Sequence, residues 1–309
     1  MKVTVLVRLK REVLDLKPGR DNVVTDALHF EGALVHLMER KKQGLDVRVV
    51  MPREGRIDLV DMEKVIDRNT KLVEVSLVAM YNGFQHDLKA VCDLAHARGA
   101  LVYADIIQGA GAVPIDVKAS GVDFAATSTY KWLMGDFGLG FLYASEAALE
   151  KIERPVVGYY QAADIEPNYP PNLPPGRYAP ITYGFNKTAT GYFEMGALTG
   201  SAEVMMALLS TSLQYVLSLG VANIQAHRAP IIARLQQEIP RLGFTADEIP
   251  DPNDQSRWPA LRQMLRDRVA TKSRDEWVEI MGDADTCFTP ILSMTEALAH
   301  PHNVARQTF

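Results

Sequence analysis

The chain has 309 residues, 47% of them hydrophobic and 23% charged, a composition typical of soluble globular proteins with one large or two ordinary domains. Its formal net charge of −5 gives no basic field to attract nucleic acid, and its two cysteines are too few for a disulfide framework. The most apolar stretch, residues 204–221, is broken by polar residues, and the first residues lack a cleavable signal pattern, so we expect a cytoplasmic protein that crosses no membrane.

The first 150 residues alternate short apolar runs with helical patterns, which predicts an α/β fold with a mainly parallel sheet. The predicted strands are residues 22–25, 46–50, 72–77, 101–105, 122–127 and 138–143. Between them, apolar residues at helical spacing predict helices over residues 33–43, 59–65 and 88–98. We therefore expect residues 1–154 to form the core of the large domain.

The rest of the chain divides into four segments of different composition. Residues 155–190 are rich in proline and tyrosine, which predicts an irregular connecting loop, since proline removes backbone donors. Residues 191–246 hold two long helical patterns separated at Gly220, and the acidic, proline-broken residues 247–257 are typical of a linker. Residues 258–309 form a last, mainly helical segment, in which Ser293 and Glu296 have the spacing of a capping box.

Chemistry-bearing side chains follow two apolar runs of the predicted sheet. Asp105 ends one run and Gln108 comes three residues later, while Ser128 and Lys131 follow the next run. Ligands bind at the carboxyl ends of strands in open α/β sheets. Pyridoxal phosphate needs a lysine to form an imine, an acid beside its pyridine nitrogen, and hydrogen-bond donors for its phosphate and phenolic oxygen. Lys131, Asp105, Ser128 and Gln108 provide these groups in that order.

Each of these residues also has an ordinary interpretation. Asp105 alone would more often cap the following turn, and Lys131 alone would more often be a surface lysine. Their joint occurrence at the ends of neighbouring apolar runs favours a cofactor site. His300 and His302 are separated by a proline and have no cysteine or acidic partner nearby, so we predict a turn there and no metal site.

Two motifs carry a resemblance to a known family: Asp-x-x-Gln at residues 105–108 and Ser-Thr-Tyr-Lys at residues 128–131. From about residue 14 to about residue 245 the chain resembles the class V aminotransferases, fold-type I pyridoxal-phosphate enzymes that include cysteine desulfurases, selenocysteine lyases and kynureninases. The resemblance implies that His29 stacks on the cofactor ring and that Asn82 lies near its phenolic oxygen. It also implies that Tyr130 belongs to the cofactor-binding set.

The resemblance implies a three-layer α/β/α architecture that is truncated at its N-terminus and carries a small helical C-terminal segment. It further implies a pyridoxal-phosphate Schiff base on Lys131, an amino-acid substrate, transamination or lyase chemistry, and a homodimer. In that family a Phe-Glu-x-Gly-Thr loop reaches the partner's phosphate, and residues 193–197 match it except for alanine in the last position.

Two alternatives stay open. Neither cysteine matches a desulfurase's sulfur carrier, so desulfurase is the least supported subfamily. No arginine here matches the family residue that clamps the substrate carboxylate, and the family's Gly/Thr-rich turn that holds the phosphate has no counterpart. This favours, as one alternative, a catalytically impaired or non-catalytic fusion protein that retains the fold core. Residues 258–309 resemble family III CoA-transferases and α-methylacyl-CoA racemases, which gives a second alternative, acyl-CoA chemistry through this segment.

Overall fold

A computed structural model describes residues 14, 16–154, 157–158, 161–166, 182–193, 200–238, 258–281 and 290–306. The chain divides into two compact units, residues 1–225 and 226–309. The predicted linker 247–257, Cys287, and residues 194–197 of the phosphate loop lie outside the described residues.

A six-stranded sheet forms the centre of the described part of the first unit. Its strands are β1 (Asn22–Asp26), β2 (Asp46–Val50), β3 (Thr70–Ser76), β4 (Leu101–Asp105), β5 (Phe124–Ser128) and β6 (Gly140–Ala144). They lie in the order β2-β1-β3-β4-β5-β6. The first five are parallel, and β6 runs antiparallel to β5. The predicted mainly parallel sheet is confirmed.

Helices cover both faces of this sheet. They are α1 (Glu31–Lys42), α2 (Leu59–Val65), α3 (Leu88–His96), α4 (Val117–Ser120) and α5 (Glu146–Leu149). Alternate strand residues point to opposite faces: Val24 and Val73 pack with Met62 of α2, and Leu72 packs with Leu37 of α1. The result is the three-layer α/β/α architecture that the sequence predicts.

Side-chain caps fix where four of these helices begin. A cap stabilises a helix because it accepts one of the backbone N–H groups that have no partner inside the first turn. The capping residues, which precede α2, α3, α4 and α5 respectively, are Asp58, Asp87, Asp116 and Ser145.

A two-stranded hairpin follows, where the sequence predicts an irregular loop. Strands β7 (Ala162–Glu166) and β8 (Thr182–Phe185) pair antiparallel, so that expectation is wrong for these residues. Neither strand contains a proline, so their backbone donors remain available for pairing. The guanidinium of Arg154 lies over the Phe185 ring at 4.4 Å and over the Tyr192 ring at 4.3 Å, which ties β8 to helix α6 (Ala189–Phe193).

Two longer helices come next, α7 (Gly200–Leu219) and α8 (Val221–Glu238), separated at Gly220 as predicted. Gly220 has a φ of +79°, a backbone conformation that residues other than glycine rarely adopt. No single helix among the described residues has the length and apolar character to cross a membrane. Residues 203–219 and 221–233 have the required length and apolar character only when taken together, and the two helical segments are bent by 68° relative to each other.

The described part of the second unit contains four further helices, α9 (Trp258–Val269), α10 (Arg274–Met281), α11 (Met294–Ala299) and α12 (Pro301–Arg306). The predicted capping box of Ser293 and Glu296 is present at the start of α11. Arg274 of α10 contacts Glu296 at 2.8 Å, and the buried Trp277 donates its indole N–H to the Val269 carbonyl at 2.8 Å.

Candidate active site

The predicted site residues of β4 and β5 meet at one edge of the sheet. Asp105 is the last residue of β4, Ser128 is the last residue of β5, and Asp105 pairs in register with Ala126. Because the two strands are parallel, Gln108 and Lys131, each three residues beyond its strand, follow at the same carboxyl edge. The structure therefore brings together the four residues that sequence reasoning selected.

Asp105 has the ordinary role of a turn cap, and its role towards a cofactor stays a prediction. Its Oδ1 accepts the backbone N–H of Ile107 at 2.9 Å, so the carboxylate does cap the turn that follows β4. This bond uses one oxygen, and a carboxylate can accept further donors at the other. Burial raises the pKa of the neighbouring Tyr103 well above its usual range, and the carboxylates of Asp105 and Glu74 raise it further, so Tyr103 stays an uncharged phenol.

The loop that carries Lys131 is closed by its own hydrogen bonds. Thr129 donates its hydroxyl to the carbonyl of Asp136 at 2.9 Å and accepts the N–H of Gly135 at its carbonyl at 2.8 Å. A Cβ on Gly135 would lie 2.6 Å from the Thr129 Cβ, so the turn admits only glycine there without rearrangement. This loop holds the Lys131 side chain half-buried, while the exposed Tyr130 stacks on Phe137 with 4.5 Å between ring centroids.

A side-chain hydrogen bond joins this loop to the turn after β4. The indole N–H of Trp132 lies 3.1 Å from Oε1 of Gln108. Beside this bond, a Cβ on Gly111 would lie 2.7 Å from the Trp132 carbonyl oxygen, so the two backbones are in close contact. Sequence reasoning selected Gln108 and missed Trp132, whose position directly after Lys131 is the signal that could have found it.

His29 follows strand β1, where the strand order of the sheet reverses. The next strand in sequence, β2, lies on one side of β1, and β3 lies on its other side. The His29 ring has no exposed surface, with Nδ1 2.8 Å from the Ser76 hydroxyl and Nε2 3.2 Å from Oε1 of Glu74. Both nitrogens are thus engaged by β3, and stacking on a cofactor stays a prediction. Sequence reasoning missed Glu74, an acid that lies between Val73 and Val75 in β3.

Asn82 belongs to an exposed turn beyond β3. Its side-chain amide donates to the Gly55 carbonyl at 2.7 Å, and its Oδ1 accepts the N–H of Phe84 at 3.0 Å. These bonds give Asn82 a structural role in the turn. Its predicted place near the cofactor's phenolic oxygen stays a prediction.

A cavity of about 430 Å³ lies elsewhere, near the amino ends of β4 and β5. Its lining includes Lys118, Lys151 and His96, whose Nε2 lies 2.7 Å from a carboxylate oxygen of Asp123. None of the predicted site residues lines it. Ligands in open α/β sheets bind at the opposite, carboxyl edge, which favours the Asp105–Lys131 region as the candidate site. Among the described residues, no cluster of histidine, cysteine and acidic groups has the arrangement of a metal site.

Comparison with known proteins identifies a matching family. The family model described as aminotransferase class-V matches residues 3–257, well over half of the chain. The match ends where residues 258–309 begin, so the resemblance of that segment to CoA-transferases stays a prediction.

Individual relatives agree with the family match. A probable cysteine desulfurase from Methanothermobacter thermautotrophicus is 29% identical over 209 residues, which are 67% of this chain and 48% of the relative. The apo cysteine desulfurase of Thermococcus onnurineus NA1 superimposes with a TM-score of 0.63 at 22% identity, covering 78% of this chain and 56% of the other. A C-DES mutant with glycine covalently linked to its PLP cofactor gives a TM-score of 0.59 at 20% identity, covering 78% of this chain and 59% of the other. The two structures establish the fold, and the chain spans about half the length of such proteins.

Proposed function

Because the chain belongs to the class V aminotransferase family, we propose that it is a pyridoxal-phosphate-dependent enzyme that acts on an amino acid as an aminotransferase or lyase. Lys131 is the residue that bonds to the cofactor's aldehyde. The observation that carries the proposal is the presentation of Asp105 and Lys131 at the carboxyl ends of adjacent parallel strands, with their loops joined by the Gln108–Trp132 hydrogen bond.

The side chains at this edge are of the types that the cofactor's polar groups require. Pyridoxal phosphate supplies an electron sink for negative charge at the substrate Cα. The Asp105 carboxylate keeps the pyridine nitrogen protonated, because a nearby negative charge raises that nitrogen's pKa. Gln108 would donate to the phenolic oxygen of bound cofactor, and Ser128 would donate to its phosphate. Lys131 would also serve as the acid and base that moves the proton at the substrate Cα.

Sulfur transfer is the least favoured reaction of this family for the described residues. A sulfur carrier needs an accessible thiolate. Cys92 is fully buried in α3, and burial raises its pKa to about 12. We therefore favour transamination or another lyase reaction over desulfuration.

The test is the absorption spectrum of the purified protein with added pyridoxal phosphate. We expect a new band from the bound cofactor, and after borohydride reduction we expect a pyridoxyl group on the peptide that contains Lys131. Lys131→Ala should abolish both, while Lys118→Ala, which removes an exposed lysine of α4, should change neither. Absence of the band at excess cofactor, or labelling that persists in Lys131→Ala, would contradict the proposal.

We also propose that the protein is a homodimer. Trp132, Met134 and Phe137 of the lysine loop are exposed, and so are Leu208 and Tyr215 of the adjacent helix α7. The helix contacts the loop directly, because the Ser212 hydroxyl donates to the Met134 carbonyl at 2.9 Å. A second copy that covers this apolar surface would remove it from water. Light scattering that gives a monomer at micromolar concentration would contradict the dimer.

One observation favours the non-catalytic alternative. The His29 ring has no exposed surface and both of its nitrogens are engaged, whereas stacking requires an accessible ring face. The same spectral experiment separates the two proposals, since a fold core without cofactor gives no band. For acyl-CoA chemistry in residues 258–309, thermal stabilisation of the whole protein by CoA esters is the corresponding test, and an unchanged melting temperature counts against it.

A further inference from the structure

Trp132 occupies an unusual position beside the candidate lysine. It is 44% exposed, yet its indole N–H lies 3.1 Å from Oε1 of Gln108. An indole can only donate, so the group that faces it must be the amide oxygen. The bond therefore fixes the orientation of the Gln108 amide, with the oxygen towards Trp132 and the NH₂ group turned away from it.

The backbone around this bond is held independently of it. Gly111 has a φ of +87°, and a Cβ there would lie 2.7 Å from the Trp132 carbonyl oxygen and 3.1 Å from the Leu133 side chain. Leu133 itself is buried. The turn after β4 and the lysine loop are thus in van der Waals contact at fixed spacing, so the indole reaches Gln108 from a well-anchored backbone.

We infer that Trp132 is a positioning residue that orients the Gln108 amide so that its NH₂ group donates to the phenolic oxygen of pyridoxal phosphate. The inference rests on the proposed function and deepens it. In the reversed orientation Oε1 would face the phenolic oxygen, and two acceptors would repel each other. Because Trp132 directly follows Lys131, the loop that presents the lysine amine also orients the amide that would donate to the cofactor's phenolic oxygen.

The first test uses Trp132→Phe, which keeps an aromatic ring and removes the N–H. We expect a roughly three- to tenfold weaker affinity for pyridoxal phosphate, the effect of losing one hydrogen bond, together with a shifted absorption maximum of the bound cofactor. Trp277→Phe is the matched control, because Trp277 also donates its indole N–H, to the Val269 carbonyl. It should leave affinity and spectrum unchanged.

The second test is a double-mutant cycle with Gln108→Ala. If Trp132 acts through Gln108, Trp132→Phe should have no further effect on affinity or spectrum in the Gln108→Ala background. An equal effect in both backgrounds would indicate a general loosening of the loop and would overturn the inference. Thermal unfolding of the cofactor-free variants accompanies both measurements.

The outcomes separate this inference from the proposal on which it rests. A wild-type protein without a Lys131-dependent band refutes the proposed function, and the inference falls with it. A wild-type protein with that band, and a Trp132→Phe variant that matches it in affinity and spectrum, refutes the inference alone.

Discussion

Nε2 of His29 lies 3.2 Å from Oε1 of Glu74, and neither side chain has any exposed surface. The Ser76 hydroxyl completes the arrangement, 2.8 Å from Nδ1 of the same ring, and it also accepts the N–H of Phe30 at 3.2 Å. These bonds join the segment after β1 to strand β3 at the reversal of strand order. A buried polar cluster of this kind stabilises the fold only while each member keeps its partner.

We expect Glu74→Ala to lower the free energy of unfolding by about 2–4 kcal/mol, because it leaves a ring nitrogen of His29 buried without its acceptor. Urea unfolding followed by circular dichroism measures the change.

Lys89→Ala is the control for this prediction. It removes an ion pair of 2.6 Å between Lys89 and Asp93, whose side chains are 63% and 64% exposed. Exposed pairs contribute little, so we expect a loss below about 0.5 kcal/mol. Equal losses in the two variants would show that burial gives the His29–Glu74 pair no special weight.

Local patterns predicted most of the sheet and its helices. Strand β4 matches its predicted bounds, residues 101–105, because an apolar run between turn residues is visible in the sequence alone. The antiparallel direction of β6 was not predicted, since an apolar run does not encode its direction. The β7–β8 hairpin is not predicted, because the high proline content of residues 155–190 indicates an irregular loop. The two short strands themselves contain no proline.

The residues of the candidate site also differ in how far the local sequence predicts them. Asp105 and Lys131 could be selected because each closely follows an apolar run. The hydrogen bonds of Glu74 and Trp132 could not be predicted, because their partners are 45 and 24 residues away along the chain. For Trp132 the sequence shows only its position next to Lys131. Only the register of β1, β3, β4 and β5 brings those partners together.

Acid should weaken the fold partly through Asp67. A hydrogen bond from Arg48 at 2.8 Å, helped by the N–H of Asn69 and the amide of Asn22, lowers the pKa of Asp67 to about 2. A native pKa below the ordinary value of 3.8 means that the stabilisation is present above about pH 4 and is lost as the pH falls towards 2.

Asp67→Asn tests this effect, because asparagine keeps the acceptor oxygen and does not titrate. At pH 6 the free energy of unfolding of the wild type should exceed that of the variant by no more than about 1 kcal/mol, because the carboxylate is partly exposed. At pH 2.5 this difference should be smaller. Urea titrations at both pH values give the two differences. A difference that is the same at both would rule out the ionised Asp67 as its source.

Cys92 should be chemically inert in the folded protein. Its thiol is buried in α3 and has a pKa of about 12, so at pH 8 almost no thiolate is present and reagents have no access. We expect iodoacetamide to leave the Cys92 peptide unmodified in native protein and to label it in urea, as read by mass spectrometry. Native labelling as fast as in urea would mean that α3 opens readily.

The contact between Gly111 and Trp132 should control both stability and cofactor binding. Gly99→Ala serves as the reference, because Gly99 has a φ of +78° and a Cβ added there would meet nothing within 4 Å, so alanine encounters only backbone strain of about 1–2 kcal/mol. At Gly111 the φ is similar, +87°, but the Cβ also meets the Trp132 carbonyl at 2.7 Å, and overpacking adds about 1–3 kcal/mol. If the lysine loop moves to relieve that contact, Gly111→Ala also weakens pyridoxal-phosphate binding whereas Gly99→Ala does not.

Urea unfolding and cofactor titration of the two variants measure both effects. Equal losses of stability together with equal affinities would show that the loop yields without consequence, and that Gly111 does not fix the position of Lys131.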